Sequence, residues 1–504
     1  MGDMPEYRLQ NVLAAILAVA LLFAAPGAAG AAPPGQSAAE PGALPAADPA
    51  AESGAGATGE TTAEAGPATD DGSAAETAEE SAEESTSAAE SAGETAEESA
   101  GESAGESVPE GIRLYLDDRE IFLDEPIQVL QGRTLMPVQP YASLLGAELT
   151  FDENQHTVSM IRDKAEVVFR ADAARYTVNG VARSMPDAAY RPASDEAPAL
   201  IPLRYGAEPF GYIVDWTDTD GHVAVHIRST PASRGELRDN EISIAGRLVW
   251  LGQPLASLIE NLGNPDRIDE SAYDLRWYVY NRDYSRFVMV GVRDDLVAGF
   301  FSNSVTLSIK GGLLYGAKKQ EISAAGIDEE TMQLWLDPNN DDSLYAVFCV
   351  ADKPGEEAQM AVFDRHRETL LRAYEMECFD ATNAFRLASG THLVGFDSRA
   401  ASSALAYAKD MAEKGFMDHI NPQGMNPLER LEERGIYAWQ VSENLAGGFG
   451  DAIQVMKAWV ESASHREGML EDNQYLGVGA YYKPNSRYRF YFVQEFITLD
   501  APKT

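Results

Sequence analysis

Three residues in the C-terminal third of the chain carry side chains that could do chemistry: His419, Glu443 and His465. Two imidazoles and a carboxylate suit Zn²⁺ or another divalent cation in an open site with three protein ligands. The same groups could serve as a general acid–base pair. In a purely structural alternative, the histidines cap and cross-link loops through hydrogen bonds. Residue type and spacing leave these alternatives open.

Serine residues stand next to two of these positions, since Ser442 precedes Glu443 and Ser464 precedes His465. A serine–histidine hydrolase would use such a hydroxyl as its nucleophile. That class usually presents the serine in a Gly-x-Ser-x-Gly turn between a strand and a helix, and neither serine lies in such a pattern. The sequence therefore gives no support to a serine hydrolase.

Periodicity and capping residues predict the elements that must position these groups. A helix is expected over about 374–387, and Asp397 is a candidate N-cap for a second helix that stops at Gly415. The apolar stripe of this second helix is assigned to Ala401, Leu405, Ala408, Met411 and Ala412. Further helices are predicted over 426–434 and 451–462, and a β pair over 476–482 and 488–497.

Four separated motifs then occur in a fixed order over about 125 residues. They are Asp418-His419-Ile420-Asn421-Pro422, Ser442-Glu443-Asn444, Trp459 with Ser462-Ala463-Ser464-His465-Arg466, and Gly477-Val478-Gly479. Together they resemble the CAP superfamily of cysteine-rich secretory proteins, antigen 5 and plant pathogenesis-related proteins, in its bacterial form. This resemblance implies an α-β-α sandwich over 370–500, with a mostly antiparallel sheet between helices.

The resemblance also implies a site, because the two histidines and the glutamate of the family line one cleft. His419, Glu443 and His465 are accordingly expected to converge, and Glu461 is a weaker candidate for a second glutamate. The chain departs from the family pattern close to these residues, with Ser442 in place of Gly and Ala463-Ser464 in place of Pro-Gly. Because these departures are adjacent to the candidate site residues, they affect the prediction of the site more than the prediction of the fold.

Two regions upstream carry resemblances of their own. Over 111–229 a strand, a Pro turn, a short helix ending at Gly and a hairpin occur twice, an internal repeat that resembles the copper amine oxidase N-terminal-like domain. Over 240–365 a short helix and three strands resemble the CAP-associated domain. No metal-ligand cluster or nucleophile–base pair stands out in the second region.

The N-terminal part is different in character. The apolar run Val12 to Ala25 has 14 residues, too few for a comfortable span, and small residues follow it, so 1–32 is expected to be a signal peptide. Residues 33–110 consist mainly of Ala, Glu, Ser and Gly, and are expected to form a disordered acidic linker. An uncleaved anchor and a tract without specific function are the respective alternatives.

Charge narrows the possible partners. The formal net charge is −41, and the 19 acidic residues from Ser37 to Glu110 supply almost half of it. The remainder is still acidic, which argues against nucleic acid because no basic stripe is available to neutralise phosphates. Cys349 and Cys378 could form one disulfide or remain two buried thiols.

The sequence thus predicts an α+β multidomain protein. Its C-terminal α-β-α sandwich follows two small β-rich α+β domains and a disordered acidic linker. We expect an exported protein, secreted or cell-wall-associated, with no transmembrane span after signal cleavage. Its expected role is to bind a cell-wall or envelope ligand through a His/Glu cleft able to hold zinc or another divalent metal. A metal-dependent hydrolase of peptide or cell-wall polymer and a lipid- or sterol-binding protein are the alternatives, and no catalytic residue is assigned.

Overall fold

A computed structural model describes residues 112–499 except 131–132, 172, 186–189, 191, 193–198 and 220–221. The predicted signal peptide (1–32) and acidic linker (33–110) lie outside the described residues. Within this part of the chain, no helix is both long and apolar enough to cross a bilayer.

The N-terminal part contains three sheets, and both halves have the predicted order of strand, helix and hairpin. Its strands are β1 (Arg113–Leu116), β2 (Arg119–Ile121), β3 (Gln128–Leu130), β4 (Arg133–Pro137), β5 (Glu148–Asp152), β6 (Thr157–Arg162), β7 (Ala165–Arg170), β8 (Arg175–Val178), β9 (Val181–Ser184), β10 (Leu200–Pro202), β11 (Ile213–Thr219) and β12 (His222–Arg228). Helices α1 (Val138–Leu145) and α2 (Leu203–Ala207) follow β4 and β10, which pair with each other.

The middle part is built on a four-stranded and a six-stranded antiparallel sheet. Its strands are β13 (Glu241–Ile244), β14 (Arg247–Trp250), β15 (Arg267–Glu270), β16 (Arg276–Tyr280), β17 (Val288–Arg293), β18 (Leu296–Ser302), β19 (Leu307–Ile309), β20 (Leu313–Leu314), β21 (Gln333–Asp337) and β22 (Ser343–Val350). Helices α3 (Leu255–Leu262) and α4 (Lys319–Ala325) complete it. Cys349 and Cys378 are two separate buried thiols, so the alternative without a disulfide is the one observed.

The C-terminal part is an α-β-α sandwich. Its sheet has the order β23 (Gly395–Phe396), β25 (Tyr475–Tyr482), β26 (Phe490–Leu499) and β24 (Ala438–Gly447), antiparallel except for the β23–β25 pair. Its helices are α5 (Glu356–Ala388), α6 (Ser398–Lys414), α7 (Pro427–Glu432), α8 (Ala452–Glu461) and α9 (Ala463–Leu470). This architecture confirms the predicted fold class.

Helix α6 packs directly on one face of this sheet. Asp397 caps it by accepting hydrogen bonds from the backbone N–H groups of Arg399 and Ala400, as predicted. A Cβ atom at Gly477 would lie 2.1 Å from the backbone nitrogen of Ala401, so this strand position must be glycine for the helix to approach. The side chain of Gln494, which points to the opposite face, donates to Thr382 of α5. Helices therefore cover both faces.

Two sequence-based assignments were wrong. Helix α5 begins at Glu356, not near 374, and its deviation from helical geometry at His366 does not end it. The polar run before 370 concealed this start because Val362, Phe363 and Leu370 are the only buried residues over 356–370. Leu405 is 38% exposed, because the closest approach of α6 to the sheet is made by backbone and by Ala404, not by this side chain.

Candidate functional site

Glu443 lies on β24, the edge strand of the C-terminal sheet. It stands directly opposite Glu495 of β26 in the antiparallel register, so both side chains point to the face covered by α6. The Glu443 side chain is only 1% exposed. A carboxylate this deeply buried needs compensating partners.

Arg430 supplies the main compensation. It lies on α7, which Asn426 and Glu429 begin with a capping box. Its Nη2 donates to Glu443 Oε2, and its Nη1 donates to the carbonyl oxygen of His419 at 2.6 Å. The guanidinium carbon lies 3.4 Å from the centre of the Tyr407 ring, and the side chain is 4% exposed. Arg430 thus joins the buried carboxylate to the loop that carries His419.

The imidazole of His419 completes the environment of Glu443. Its Nδ1 lies 2.9 Å from Glu443 Oε1, and since a carboxylate can only accept, Nδ1 must carry the proton. The other ring nitrogen, Nε2, is then the one available for a ligand, in a side chain that is 53% exposed. A carboxylate fixing the tautomer of an exposed imidazole in this way is typical of metal-binding and catalytic histidines.

His465 approaches the same region from helix α9. Its Nδ1 lies 2.9 Å from Ser462 Oγ, and its backbone carbonyl accepts a hydrogen bond from Asn444 of β24. Burial, and then the nearby charge of His419, lower the pKa of His465. A lowered pKa keeps this imidazole neutral near pH 7, the form that can accept a hydrogen bond or bind a metal.

The serines named in the sequence are engaged elsewhere. Ser442 donates to Glu471, and strand alternation places it on the face opposite Glu443. The Ser464 hydroxyl lies 3.4 Å from that of Ser462. The Ser462 hydroxyl does contact His465, but through the Nδ1 atom, and the two residues are only three positions apart at the start of α9. In the described part of the chain, no carboxylate contacts that imidazole, as a serine hydrolase would require.

Glu461, the weaker candidate, is not joined to this group by any hydrogen bond or ion pair among the described residues. Its carboxylate pairs with Lys457 one helical turn earlier, at 2.6 Å. Its backbone carbonyl accepts a hydrogen bond from Asn339 of the middle part of the chain. Glu461 therefore connects the end of α8 to the middle part of the chain.

Sequence reasoning missed Glu495, the second carboxyl beneath the site. It is fully buried, accepts a hydrogen bond from Ser403 at 3.2 Å, and has no partner for Oε2 among the described residues. Burial, and then the charge of Glu443, raise the pKa of Glu495 to about 8. At pH 7 it is therefore a neutral acid, and Glu443 is the charged member of the pair. A glutamate in a largely apolar strand was the available signal that this side chain is buried, although not of which residue it faces.

The residues fit a divalent cation only in part. Both carboxylate oxygens of Glu443 are occupied, by His419 and by Arg430, and a cationic guanidinium disfavours a metal ion at Oε2. No group of three or more His, Cys, Asp or Glu side chains that could hold a metal occurs among the residues described. The Nε2 atoms of His419 and His465 remain as candidate metal ligands. Glu443 fixes the tautomer of His419, and Nε2 of His465 is free for a metal when its Nδ1 donates to Ser462 Oγ.

Comparison with known families matches three segments of the chain at the places noted in the sequence. Residues 379–496 match the cysteine-rich secretory protein family, named CAP. Residues 251–347 match the CAP-associated N-terminal domain, and residues 115–225 match the copper amine oxidase N-terminal domain.

Two relatives come from Bacillus subtilis. The "Uncharacterized membrane protein YlbC" is 24% identical over 296 residues, which is 50% of this chain and 84% of that protein. The "Uncharacterized protein YkwD" is 34% identical over 108 residues, which is 21% of this chain and 42% of that protein.

Two solved structures are also similar. One is an extracellular protein containing an SCP domain from Bacillus anthracis, with 21% identity and a TM-score of 0.42, covering 49% of this chain and 93% of that one. The other is a cysteine-rich secretory protein from Staphylococcus aureus, with 15% identity and a TM-score of 0.36 over the same shares.

Proposed function

We propose that this protein, which carries a CAP domain after a CAP-associated domain and a copper amine oxidase N-terminal-type domain, is an exported binding module of the cell envelope. Two observations support export: the short apolar run near the N-terminus and the relative that is named a membrane protein. The acidic net charge of −41 argues against a nucleic-acid partner. Secretion and association with the cell wall are parts of the same proposal.

The observation that carries the proposal is the chain of contacts from Arg430 through Glu443 to His419. It fixes the tautomer and orientation of an exposed imidazole at small conformational cost. His465, held neutral beside it, offers a second acceptor. A ligand that presents hydrogen-bond donors, or a cation, would meet two oriented nitrogens without reordering the site.

In our proposal a divalent cation such as zinc would be held by the two Nε2 atoms of His419 and His465. Glu443 would orient His419 and raise its basicity, and would not bind the cation itself. Two protein ligands leave at least two positions of a tetrahedral ion open. The ion would supply a bridge to a ligand on the partner molecule, so metal affinity and partner affinity would depend on each other.

Hydrolysis of peptide or cell-wall polymer is the second candidate, favoured by the carboxylate–imidazole pair that a general base uses. Both oxygens of Glu443 already accept hydrogen bonds, so in such an enzyme His419 would be the base and Glu443 would orient it. Lipid or sterol binding remains an expectation from the family resemblance alone.

A pair of assays distinguishes binding from catalysis. Purified full-length protein is expected to sediment with insoluble peptidoglycan and to release no soluble products from peptidoglycan or casein. Changing both His419 and His465 to Ala should abolish sedimentation, because both oriented nitrogens are lost. The His392→Ala variant, altered at an exposed histidine outside the site, is the control and should sediment normally. Product release that disappears in Glu443→Gln would establish the hydrolase instead.

A further inference from the structure

A cavity lies between the N-terminal and the middle parts of the chain. Its volume is about 320 Å³, at the lower end of the range of small-molecule sites. The turn between β6 and β7, with residues 162–165, forms one wall. The connecting segment 232–235 forms a second wall, and residues next to β20, including Leu314, form a third. A molecule in this cavity would therefore contact both parts of the chain.

Three cationic side chains line this cavity, against one acidic side chain. The cations are Arg162, Lys164 and Arg234, and the acid is Asp163, so three positive charges minus one negative charge leave two positive charges. Lys164 and Arg234 are exposed and Arg162 is partly exposed, so a solute can reach all three. The cavity is thus a local cationic site in a chain whose formal net charge is −41.

The hydrogen bonds that hold two of these cations do not neutralise them. Lys164 Nζ donates to the carbonyl oxygen of Gly311 at 3.1 Å, which uses one of the three donors of the ammonium group. Arg162 donates to the hydroxyl of Tyr212 at 2.6 Å and to the carbonyl oxygen of Ser233 at 2.7 Å. All three acceptors are neutral, so these bonds orient the cations and leave their charges in place.

The two carboxylates near the arginines are both exposed. Asp163 Oδ2 lies 3.6 Å from Arg162 Nε, and its side chain is 84% exposed. Glu236 does not line the cavity; it accepts from Arg234 Nε at 2.8 Å and is 59% exposed. In the described part of the chain, the two terminal amino groups of Arg234 make no hydrogen bond. Water screens exposed ion pairs strongly, so these carboxylates compete weakly with an anionic ligand.

The charge of the lining favours a phosphate ester over a carboxylate. A phosphate monoester carries between about 1.5 and 2 negative charges at neutral pH and presents three acceptor oxygens. Guanidinium groups bind such oxygens through paired, charge-assisted hydrogen bonds. Pro209, Phe210 and Leu314 add apolar surface to the lining, which an inorganic ion would not use. This combination suits a phosphate group attached to a small organic group.

We propose that this cavity binds a small organic phosphate. Arg162, Lys164 and Arg234 contact the phosphate group, and Pro209 and Phe210 contact the organic part. The site is separate from the histidine cleft, because none of the residues that line it belongs to the C-terminal part of the chain.

Calorimetric titration of the full chain at neutral pH tests this proposal, with propyl phosphate, inorganic phosphate and propanol as probes. Saturable binding of one propyl phosphate per chain is expected, tighter than that of inorganic phosphate, and no binding of propanol. Lys164→Gln and Arg234→Gln each remove one exposed cation from the lining. The fold should therefore be retained, while the affinity for propyl phosphate falls about 10-fold in each variant.

Lys409→Gln is the matched control. Lys409 is also an exposed lysine, but it lies on α6 and does not line the cavity. This variant should bind propyl phosphate as the unaltered protein does. The proposal is overturned if propyl phosphate does not bind saturably, or if both cavity variants bind it as tightly as Lys409→Gln does. It is also overturned if inorganic phosphate or propanol binds at least as tightly as propyl phosphate.

Discussion

Arg430→Met is expected to destabilise the C-terminal domain by about 3–5 kcal/mol, because it leaves the carboxylate of Glu443 buried without its ion-pair partner. It also removes the donor that holds the carbonyl of His419. Urea unfolding, combined with hydrogen exchange of the β24 peptide, measures the effect. Faster exchange in β24 should accompany the lower urea midpoint.

The matched control for this substitution is Arg434→Met. Arg434 is exposed, and among the described residues its one hydrogen bond goes to the backbone carbonyl of Arg430, so the expected change is within about 0.5 kcal/mol. The double variant Arg430→Met, Glu443→Gln should recover much of the lost stability, because the buried carboxylate charge at position 443 is removed as well. If the single Arg430 variant were as stable as the Arg434 variant, the buried ion pair would not be a structural requirement of the site.

Glu495→Gln is expected to stabilise the domain by about 3 kcal/mol at pH 7. The pKa of Glu495 is raised from an ordinary 4.5 to about 8 in the folded protein. Between these values the folded state holds a proton that the unfolded state has lost, so stability falls as pH rises. Glutamine keeps the shape of the protonated acid and has no proton to lose, which removes this cost.

The pH dependence of urea midpoints from pH 5 to 9 tests the Glu495 prediction. The free energies of unfolding of the two proteins should differ by less than about 1 kcal/mol at pH 5, diverge steadily to about pH 8, and differ by a constant amount above it. Glu467→Gln, altered at an exposed glutamate of α9, should follow the unaltered protein throughout. Parallel curves for Glu495→Gln over the whole range would mean that Glu495 is ionised at neutral pH.

Local signals made much of the C-terminal fold predictable. The caps at Asp397 and Gly415 mark the ends of α6 correctly, because capping depends on residues adjacent in sequence. The early start of α5 and the separate helix α9 were missed. Their sequences are polar or mixed, and packing against the rest of the domain stabilises them as helices.

The sequence motifs identified His419, Glu443 and His465 as candidates, but not the residues that surround them. The structure places His419 Nδ1 2.9 Å from Glu443 Oε1, and the predicted three-residue site stays a prediction. Arg430 and Glu495 could not be inferred, because their roles depend on strand register and on how α7 lies over β24. Nothing in the run around Glu495 indicates which residue faces it across the sheet.

Calorimetric titration of zinc into the full chain at neutral pH tests whether His419 and His465 form one binding centre oriented by Glu443. We expect one saturable site per chain, lost in His419→Ala and in His465→Ala and unchanged in the control His392→Ala. Glu443→Gln, confirmed as folded by circular dichroism, should bind about 10–100-fold more weakly, as expected for loss of an orienting group. Zinc affinity that is unchanged in both His419→Ala and His465→Ala would show that these two imidazoles do not form a metal site.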